Sequence, residues 1–280
     1  MQIETNLIVA SKHHNKPIVT DVYYKQNKVK KPVVIFCHGY KGFKDWGSWN
    51  LMSKLFAENN VFFVKFNFSH NGGTLKNPID FPDLDAFSEN NFTTELNDLE
   101  DVIDWVINNK TYAKEIDVST IYLIGHSRGG GIVSIKASEN KLITGAITWN
   151  GVSGFAERFP KGNELETWKN LGVIYVLNGR TNQKMPHKYQ FYQDFKANEE
   201  RLTIKNAVEK LNKPQLIISG EQDVVVLPFE GEKMHLWNPN SKWVVIDEMN
   251  HTLGSKHPWT EDELPNPLKK VVEMSIYFIK

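Results

Sequence analysis

The sequence has one cysteine in 280 residues and no apolar run near the roughly 18 residues that a membrane-spanning helix needs. The single Cys37 excludes an intramolecular disulfide, and its place in an apolar run predicts a buried, unreactive thiol. Residues 1–14 lack the basic-then-apolar pattern of a secretory signal. We therefore expect a soluble, cytoplasmic protein with no membrane partner.

An excess of charge of one sign is also missing. Lys and Arg together number 33, and so do Asp and Glu. Without a net positive field or a basic stripe the chain has little to hold a polyanion, so we expect no nucleic-acid partner. Hydrophobic residues make up 40% and aromatic residues 12% of the sequence, which is enough to build a sizeable globular core.

Apolar runs rich in β-branched residues alternate with amphipathic helical stretches. This alternation predicts an α/β fold in which a mostly parallel central sheet is flanked by helices. The predicted strands lie at 32–37, 61–68, 120–124, 142–149, 215–219 and 243–246. The predicted helices lie at 46–58, 93–108, 130–138, 229–237 and 268–280. In the second of these helices an apolar stripe should face the core, and the carboxylates should face solvent.

Residues 150–211 interrupt the alternation with a segment rich in aromatic side chains. An insertion of this size between two core strands is usually a lid or a loop that shapes a pocket. We therefore predict an α/β core at 1–149 and 212–280 with a cap or lid insertion at 150–211. The aromatic residues suggest a pocket for an apolar or aromatic acyl group, although an ordinary core would hold them equally well.

The sequence Gly125-His126-Ser127-Arg128-Gly129 has the pattern G-x-S-x-G, and it lies between a predicted strand and a predicted helix. A sharp turn at this junction needs neighbours without side chains, and it raises the serine hydroxyl above the sheet edge. The N–H of Arg128, at the start of the helix, could stabilise a developing oxyanion. Ser127 is the predicted nucleophile, and an ordinary capping serine is the alternative.

A serine hydroxyl is a poor nucleophile without a base. His251 follows the last predicted strand, at the carboxyl end where ligands of parallel sheets gather, and His257 is its rival. The acid that orients the base should come from another strand end, where Asp223 is the candidate and Glu221 the substitute. The scattered histidines lack the H-E-x-x-H spacing, so we expect no metal site.

The turn after the first predicted strand, His38-Gly39-Tyr40, offers the second oxyanion donor through the backbone N–H of Tyr40. Gly39 permits the close approach, and His38 should tie the turn together by hydrogen bonds. We also expect Gly39, His126 and Trp149 to contact the substrate.

Four segments together resemble the α/β-hydrolase superfamily over nearly the whole chain, at 38–46, 125–130, 220–223 and 250–259. They look most like bacterial esterase-type serine hydrolases akin to prolyl oligopeptidase catalytic domains and to feruloyl and cinnamoyl esterases. The resemblance implies a catalytic triad of Ser127, Asp223 and His251. It also implies two oxyanion donors, Tyr40 and Arg128, and no cofactor. Arg128 departs from the small or apolar residue that often follows the nucleophile.

These features predict a carboxylesterase-like serine hydrolase that cleaves a small or aromatic acyl ester through an acyl-enzyme. Its expected partner is a small-molecule ester, and a homodimer is left open. The alternatives are an amidase or peptidase with the same triad and a non-catalytic ligand-binding module.

Overall fold

A computed structural model describes the whole chain, residues 1–280. Eight strands form one sheet, and two more form a separate hairpin. The strands are β1 (Gln2–Val9), β2 (Ile18–Tyr24), β3 (Lys31–Cys37), β4 (Phe62–Phe66), β5 (Ile116–His126), β6 (Gly145–Trp149), β7 (Val173–Asn178), β8 (Gln183–Lys188), β9 (Gln215–Gly220) and β10 (Lys242–Ile246).

The strand order in the large sheet is β1-β2-β4-β3-β5-β6-β9-β10. The pairs β1–β2 and β2–β4 are antiparallel, and the other five pairs are parallel. The prediction of a mostly parallel central sheet is confirmed. Because the parallel strands run in one direction, their carboxyl ends meet at one edge of the sheet, where ligand sites of such folds form.

Helices cover both faces of the sheet, as strands buried on both sides require. The helices are α1 (Trp49–Glu58), α2 (Leu84–Ser88), α3 (Phe92–Asn108), α4 (Arg128–Glu139), α5 (Asn163–Leu171), α6 (Gln190–Ala197), α7 (Glu199–Leu202), α8 (Ile204–Glu209), α9 (Pro228–Trp237) and α10 (Asn266–Ile279). One face packs on α1 and α10, and the other packs on α3 and α4. None of these helices combines the length and the apolar character that crossing a membrane requires.

Helix α3 shows where a periodic pattern succeeds and where it fails. Its predicted apolar stripe is fully buried. The expectation of a solvated acidic face is wrong, because Asp98 and Asp101 are buried as well. Asp98 accepts a hydrogen bond from the N–H of Ser69 (2.7 Å), and Asp101 accepts one from the hydroxyl of Ser11 (2.8 Å). These carboxylates therefore anchor neighbouring loops.

A buried cluster of charges links β2 and β4 to the loop that follows β3. Asp21 accepts hydrogen bonds from the ammonium groups of Lys44 and Lys65, each at 2.8 Å. Lys44 also contacts Asp45 at 2.6 Å. Charges removed from water must be paired in this way, and the pairing fixes the loop that carries Tyr40.

The segment 150–211 contains α5 to α8 and the β7–β8 hairpin. Its aromatic side chains pack on the core as well as on each other, since Phe155 stacks on Phe92 of α3 with ring centroids 3.8 Å apart. Helix α8 also packs against α4, the helix that follows Ser127. The insertion thus covers the region above the carboxyl edge of the sheet.

Candidate active site

Ser127 occupies a strained turn between β5 and α4. Its φ of 57° and ψ of −120° lie outside the regions that non-glycine residues usually adopt. Three backbone hydrogen bonds hold this conformation. The Ser127 N–H donates to the carbonyl of Trp149 (3.0 Å), and the Ser127 carbonyl accepts the N–H groups of Gly130 (2.9 Å) and Val152 (3.2 Å). A Cβ on Gly129 would lie 2.3 Å from the carbonyl oxygen of Cys37, so the turn can pass this close to β3 only with glycine there.

The structure brings His251 and Asp223 into direct contact. The Nδ1 of His251 lies 2.8 Å from the Oδ2 of Asp223. The Oδ1 of Asp223 accepts the N–H groups of Val225 (2.8 Å) and Val226 (2.9 Å). Burial favours a raised pKa for Asp223, but the hydrogen bond and charge of His251 and these two donors outweigh it and lower the pKa. Asp223 is therefore an ionised, fixed acceptor for the imidazole.

The loop that carries His251 is held by two residues at the ends of other strands. The carbonyl oxygen of His251 accepts hydrogen bonds from His126 Nε2 (2.8 Å) and Asn150 Nδ2 (3.3 Å). Asn150 has a φ of 46°, and its Oδ1 accepts the N–H of Gly220 (2.7 Å). Burial and then the charge of His251 lower the pKa of His126 to about 3, which keeps this ring neutral. Asn150 was not predicted, and an asparagine just after a strand is its only sequence signal.

Ser127 and His251 line the same polar cavity, which has a volume of about 240 Å³. The Oγ of Ser127 forms no hydrogen bond with another protein group, and neither does the Nε2 of His251. Hydrogen bonds between catalytic groups often tighten only when a substrate is bound. The two side chains thus share one solvent-accessible space at the carboxyl edge of the sheet.

Two backbone N–H groups near Ser127 have no protein acceptor, those of Tyr40 and Arg128. Arg128 is the first residue of α4, where helix N–H groups lack partners within the helix. The turn after β3 approaches closely, because a Cβ on Gly39 would lie 2.9 Å from the Cβ of Ser127. His38 Nδ1 donates to the Gly39 carbonyl (2.9 Å), a structural role that holds the turn.

An apolar cavity of about 320 Å³ opens on another side of Ser127. Eleven of its sixteen lining residues are hydrophobic, and most belong to the 150–211 insertion. The aromatic members of the lining are Tyr40, Phe92, Phe155, Phe159, Trp168 and Phe191. A site of this kind, mainly apolar with few polar groups, suits a small organic ligand.

Three polar side chains in this apolar cavity interact with one another. The guanidinium of Arg128 lies 4.4 Å from the ring centroid of Tyr40 and donates to Glu95 (3.3 Å). Burial raises the pKa of Glu95 despite this neighbour. The hydroxyl of Tyr40 donates to Nε2 of His187 (2.7 Å), whose pKa burial and the charges of Arg128 and Lys41 lower to about 3. His187 is therefore a neutral acceptor.

The residues expected to contact substrate fall in different places. Gly39 and His126 line the polar cavity. Trp149 does not reach either cavity, and this expectation is corrected. Its side chain is fully buried on the face of the sheet that packs on α1 and α10, where Nε1 donates to the hydroxyl of Ser275 in α10 (3.1 Å). The backbone of Trp149, by contrast, supports the Ser127 turn.

The two alternatives for the base and the acid lie elsewhere. His257 Nδ1 accepts the N–H of Gly47 (2.9 Å) and has no contact with Asp223. Glu221 is exposed in the loop after β9, and its side chain forms no hydrogen bond. Of the candidates considered, only His251 and Asp223 meet.

A family model described as alpha/beta hydrolase fold matches residues 82–253. The match covers more than half of the chain, so the protein belongs to the α/β-hydrolase family. This membership supports a hydrolase. No curated protein sequence matches the chain.

Solved structures share the fold over almost the whole chain. Est1E from Butyrivibrio proteoclasticus with bound ferulic acid has a TM-score of 0.71 at 19% identity, with 98% of this chain and 97% of that chain covered. A putative hydrolase from Agrobacterium vitis S4 has a TM-score of 0.74 at 16% identity, with both chains fully covered. A puromycin-hydrolyzing peptidase from Mycobacterium tuberculosis has a TM-score of 0.63 at 15% identity, with 99% of this chain and 38% of that chain covered. The expected resemblance to the α/β-hydrolases is confirmed by the family match, and these structures share the fold.

Proposed function

We propose that this protein is a serine hydrolase of carboxylic esters, with Ser127 as nucleophile, His251 as base and Asp223 as the acid that orients it. The observation that carries the proposal is the strained turn of Ser127 opening onto the same cavity as an imidazole that is hydrogen-bonded to a buried carboxylate. Strain at a serine is rarely retained without a functional reason.

The proposed reaction has two halves. The Oγ of Ser127 attacks the ester carbonyl carbon while His251 Nε2 takes its proton, and the resulting oxyanion accepts the N–H groups of Tyr40 and Arg128. The C–O bond to the alcohol then breaks, and His251 returns the proton to the leaving oxygen. His251 then takes a proton from water, whose oxygen attacks the acyl carbon. The bond from this carbon to Ser127 Oγ breaks, His251 returns the proton to Oγ, and the carboxylic acid is released. Asp223 stabilises the imidazolium in both halves.

The acyl group is proposed to occupy the apolar cavity, covered by residues 150–211 acting as a cap. The leaving oxygen must lie within reach of His251, which lines the polar cavity and not the apolar one. The acyl group therefore extends the other way, among aromatic rings. Small, apolar and aromatic acids suit this lining, and Est1E, which shares the fold, was solved with ferulic acid.

An amidase or peptidase is the second candidate, since a structural neighbour is a puromycin-hydrolyzing peptidase. The same groups can cleave an amide if His251 protonates the poorer leaving amine. A panel of matched acyl esters and acyl amides decides between the two. We expect kcat/KM to be higher for esters by several orders of magnitude.

The test is replacement of the nucleophile. Ser127→Ala should lower p-nitrophenyl ester hydrolysis by at least about 10³-fold and abolish labelling by a fluorophosphonate probe. Ser138→Ala is the matched control, because Ser138 lies on the following helix and lines neither cavity, and its hydroxyl forms no hydrogen bond. Ser127→Ala activity within a few fold of wild type would refute the proposal. Acetyl, octanoyl and feruloyl esters then test the acyl preference.

A further inference from the structure

The cavities that meet at Ser127 carry a marked excess of positive charge. Their lining includes four cationic side chains, Lys41, Arg128, Arg158 and Arg180, and no carboxylate. The whole chain has equal numbers of basic and acidic residues, 33 of each. The imbalance is therefore a property of the cavity lining and not of the whole chain.

Three of these four cations already have acidic partners outside the cavity lining. The pairs are Arg128–Glu95, Arg158–Glu230 and Arg180–Asp80. Lys41 has none, and its ammonium forms neither an ion pair nor a hydrogen bond with the protein. Its only charge-dependent contact is with the ring of Tyr40, 5.2 Å from the centroid. Lys41 is thus the cation available to a ligand.

The backbone holds Lys41 beside the catalytic groups. It follows Tyr40 in a tight turn closed by the hydrogen bond from Gly42 N–H to the Gly39 carbonyl (3.0 Å), and its φ is 53°. Partial burial lowers the pKa of Lys41. An anion bound here would offset this loss of hydration, since opposite charges a few ångströms apart stabilise the charged forms of both.

A second donor lies in the same cavity. Asn178 is only 7% exposed and lines the polar cavity. Its Oδ1 accepts the backbone N–H of Arg180 (3.2 Å), and this contact directs the amide group. Its Nδ2 donates to no protein atom. Because Asn178 borders the polar cavity, this free N–H donor is available to a ligand or to water bound there.

We propose that the polar cavity binds the leaving group of the ester and that this leaving group carries a negative charge, as a carboxylate or phosphate. Lys41 pairs with the anion and Asn178 donates a hydrogen bond to it. The proposal rests on the proposed function, because His251 must protonate the leaving oxygen, and of the two cavities His251 lines only the polar one. The physiological substrate is then an ester of an anionic alcohol with an apolar or aromatic acid.

Matched aryl acetates test the charge. The compounds are 4-carboxyphenyl acetate, 4-phosphonophenyl acetate and the neutral 4-carbamoylphenyl acetate, with each kcat/KM corrected for the uncatalysed hydrolysis rate. We expect wild type to favour the anionic esters about tenfold, the effect of one partly exposed ion pair. The preference should shrink as salt rises, because the screening length shortens from about 10 Å at 0.1 M to about 3 Å at 1 M. The two anionic esters separate carboxylate from phosphate recognition.

Lys41→Asn removes the charge and keeps a residue that tolerates positive φ. We expect the anionic-to-neutral ratio to fall close to one. Lys54→Gln is the matched control, because Lys54 is exposed on α1 and lines neither cavity, so the ratio should stay at the wild-type value. Circular dichroism and thermal unfolding check the fold of each variant. If Lys41→Asn does not fold, competitive inhibition of wild type by 4-hydroxybenzoate and 4-hydroxybenzamide measures the same preference.

The outcomes separate this inference from the proposed function. If wild type cleaves all three esters through Ser127 without preferring the anions, the inference is overturned and the serine hydrolase stands. If Lys41→Asn keeps the full preference, Lys41 is not its source and the inference is overturned too. If Ser127→Ala hydrolyses the esters as fast as wild type, the proposed function itself fails.

Discussion

Replacement of Asp223 by Asn is a sharp test of the proposed catalytic geometry. The two side chains have almost the same shape, but the amide can present only one oxygen. The N–H groups of Val225 and Val226 both point at Oδ1, so the amide oxygen must stay at that position. Turning the amide over would leave the buried N–H of Val226 without an acceptor, at about 1–3 kcal/mol, and would also break the more exposed hydrogen bond from Val225. The NH₂ group therefore faces His251.

This orientation stabilises the wrong tautomer of the His251 imidazole. Facing an N–H donor instead of a carboxylate, Nδ1 of His251 becomes the acceptor, and the proton moves to Nε2. An Nε2 that already carries a proton cannot take one from Ser127. We expect kcat to fall by about 10³–10⁴-fold, with KM changed by less than about threefold, since Asp223 lines neither cavity.

Steady-state hydrolysis of p-nitrophenyl butyrate measures both constants, and thermal unfolding confirms that the variant is folded. Glu221→Gln provides the control, because it makes the same chemical change two residues away, at an exposed side chain without partners. Its activity should remain within about twofold of wild type. A folded Asp223→Asn enzyme within tenfold of wild type would show that Asp223 does not orient the base. An equal loss in Glu221→Gln would point to a general effect of charge.

Two further predictions concern the fold around the site. Gly129→Ala should destabilise the protein by more than about 4 kcal/mol or prevent folding, because the new Cβ would lie 2.3 Å from a backbone oxygen of β3. Gly179→Ala is the control and should be tolerated, because a Cβ there meets nothing within 4 Å. Thermal unfolding of both variants checks this prediction. Acid should weaken folding through buried histidines, whose pKa values fall from 6.5 to about 4 for His38 and to about 3 for His126 and His187. Between these folded pKa values and 6.5, the unfolded chain binds more protons than the folded chain. The urea midpoint should therefore decrease as the pH is lowered from about 6.5 toward 4. A constant midpoint would contradict the lowered pKa values of these histidines.

The parallel strands and the serine turn could be predicted because their signals are local. A strand buried on both faces is a continuous apolar run, and the predicted strand at 32–37 differs from β3 by one residue. The pattern G-x-S-x-G marks a turn in which Gly129 is required by the close passage of β3, and Gly125 by the backbone at the start of α4. The loops with Asp223 and His251 could be located because parallel strands end at one edge.

The rest depends on contacts between residues far apart in sequence. Strand β2 contains Asp21, and a charged residue of this kind is expected at the surface. It is fully buried because Lys44 and Lys65, which are 23 and 44 positions away in the sequence, neutralise its charge. The acids of α3 misled the prediction for the same reason. The prediction that Trp149 contacts substrate was wrong for a related reason. Successive side chains of a strand point to opposite faces of the sheet, but the sequence does not tell which of these faces lies near the site.

The unpredicted elements bear directly on the proposed chemistry. An oxyanion donor is useful only if it is fixed before the reaction, so that no reorganisation is required when charge develops. The ammonium of Lys44, three positions after Lys41, is held between Asp21 and Asp45. The buried charges of β2 and β4 thus fix the turn that carries one proposed oxyanion donor and Lys41, the one cation of the cavity lining without an acidic partner. The proposed chemistry of this loop therefore lies within the 38–46 motif, whereas its rigidity also depends on Asp21 and Lys65, which are distant in sequence.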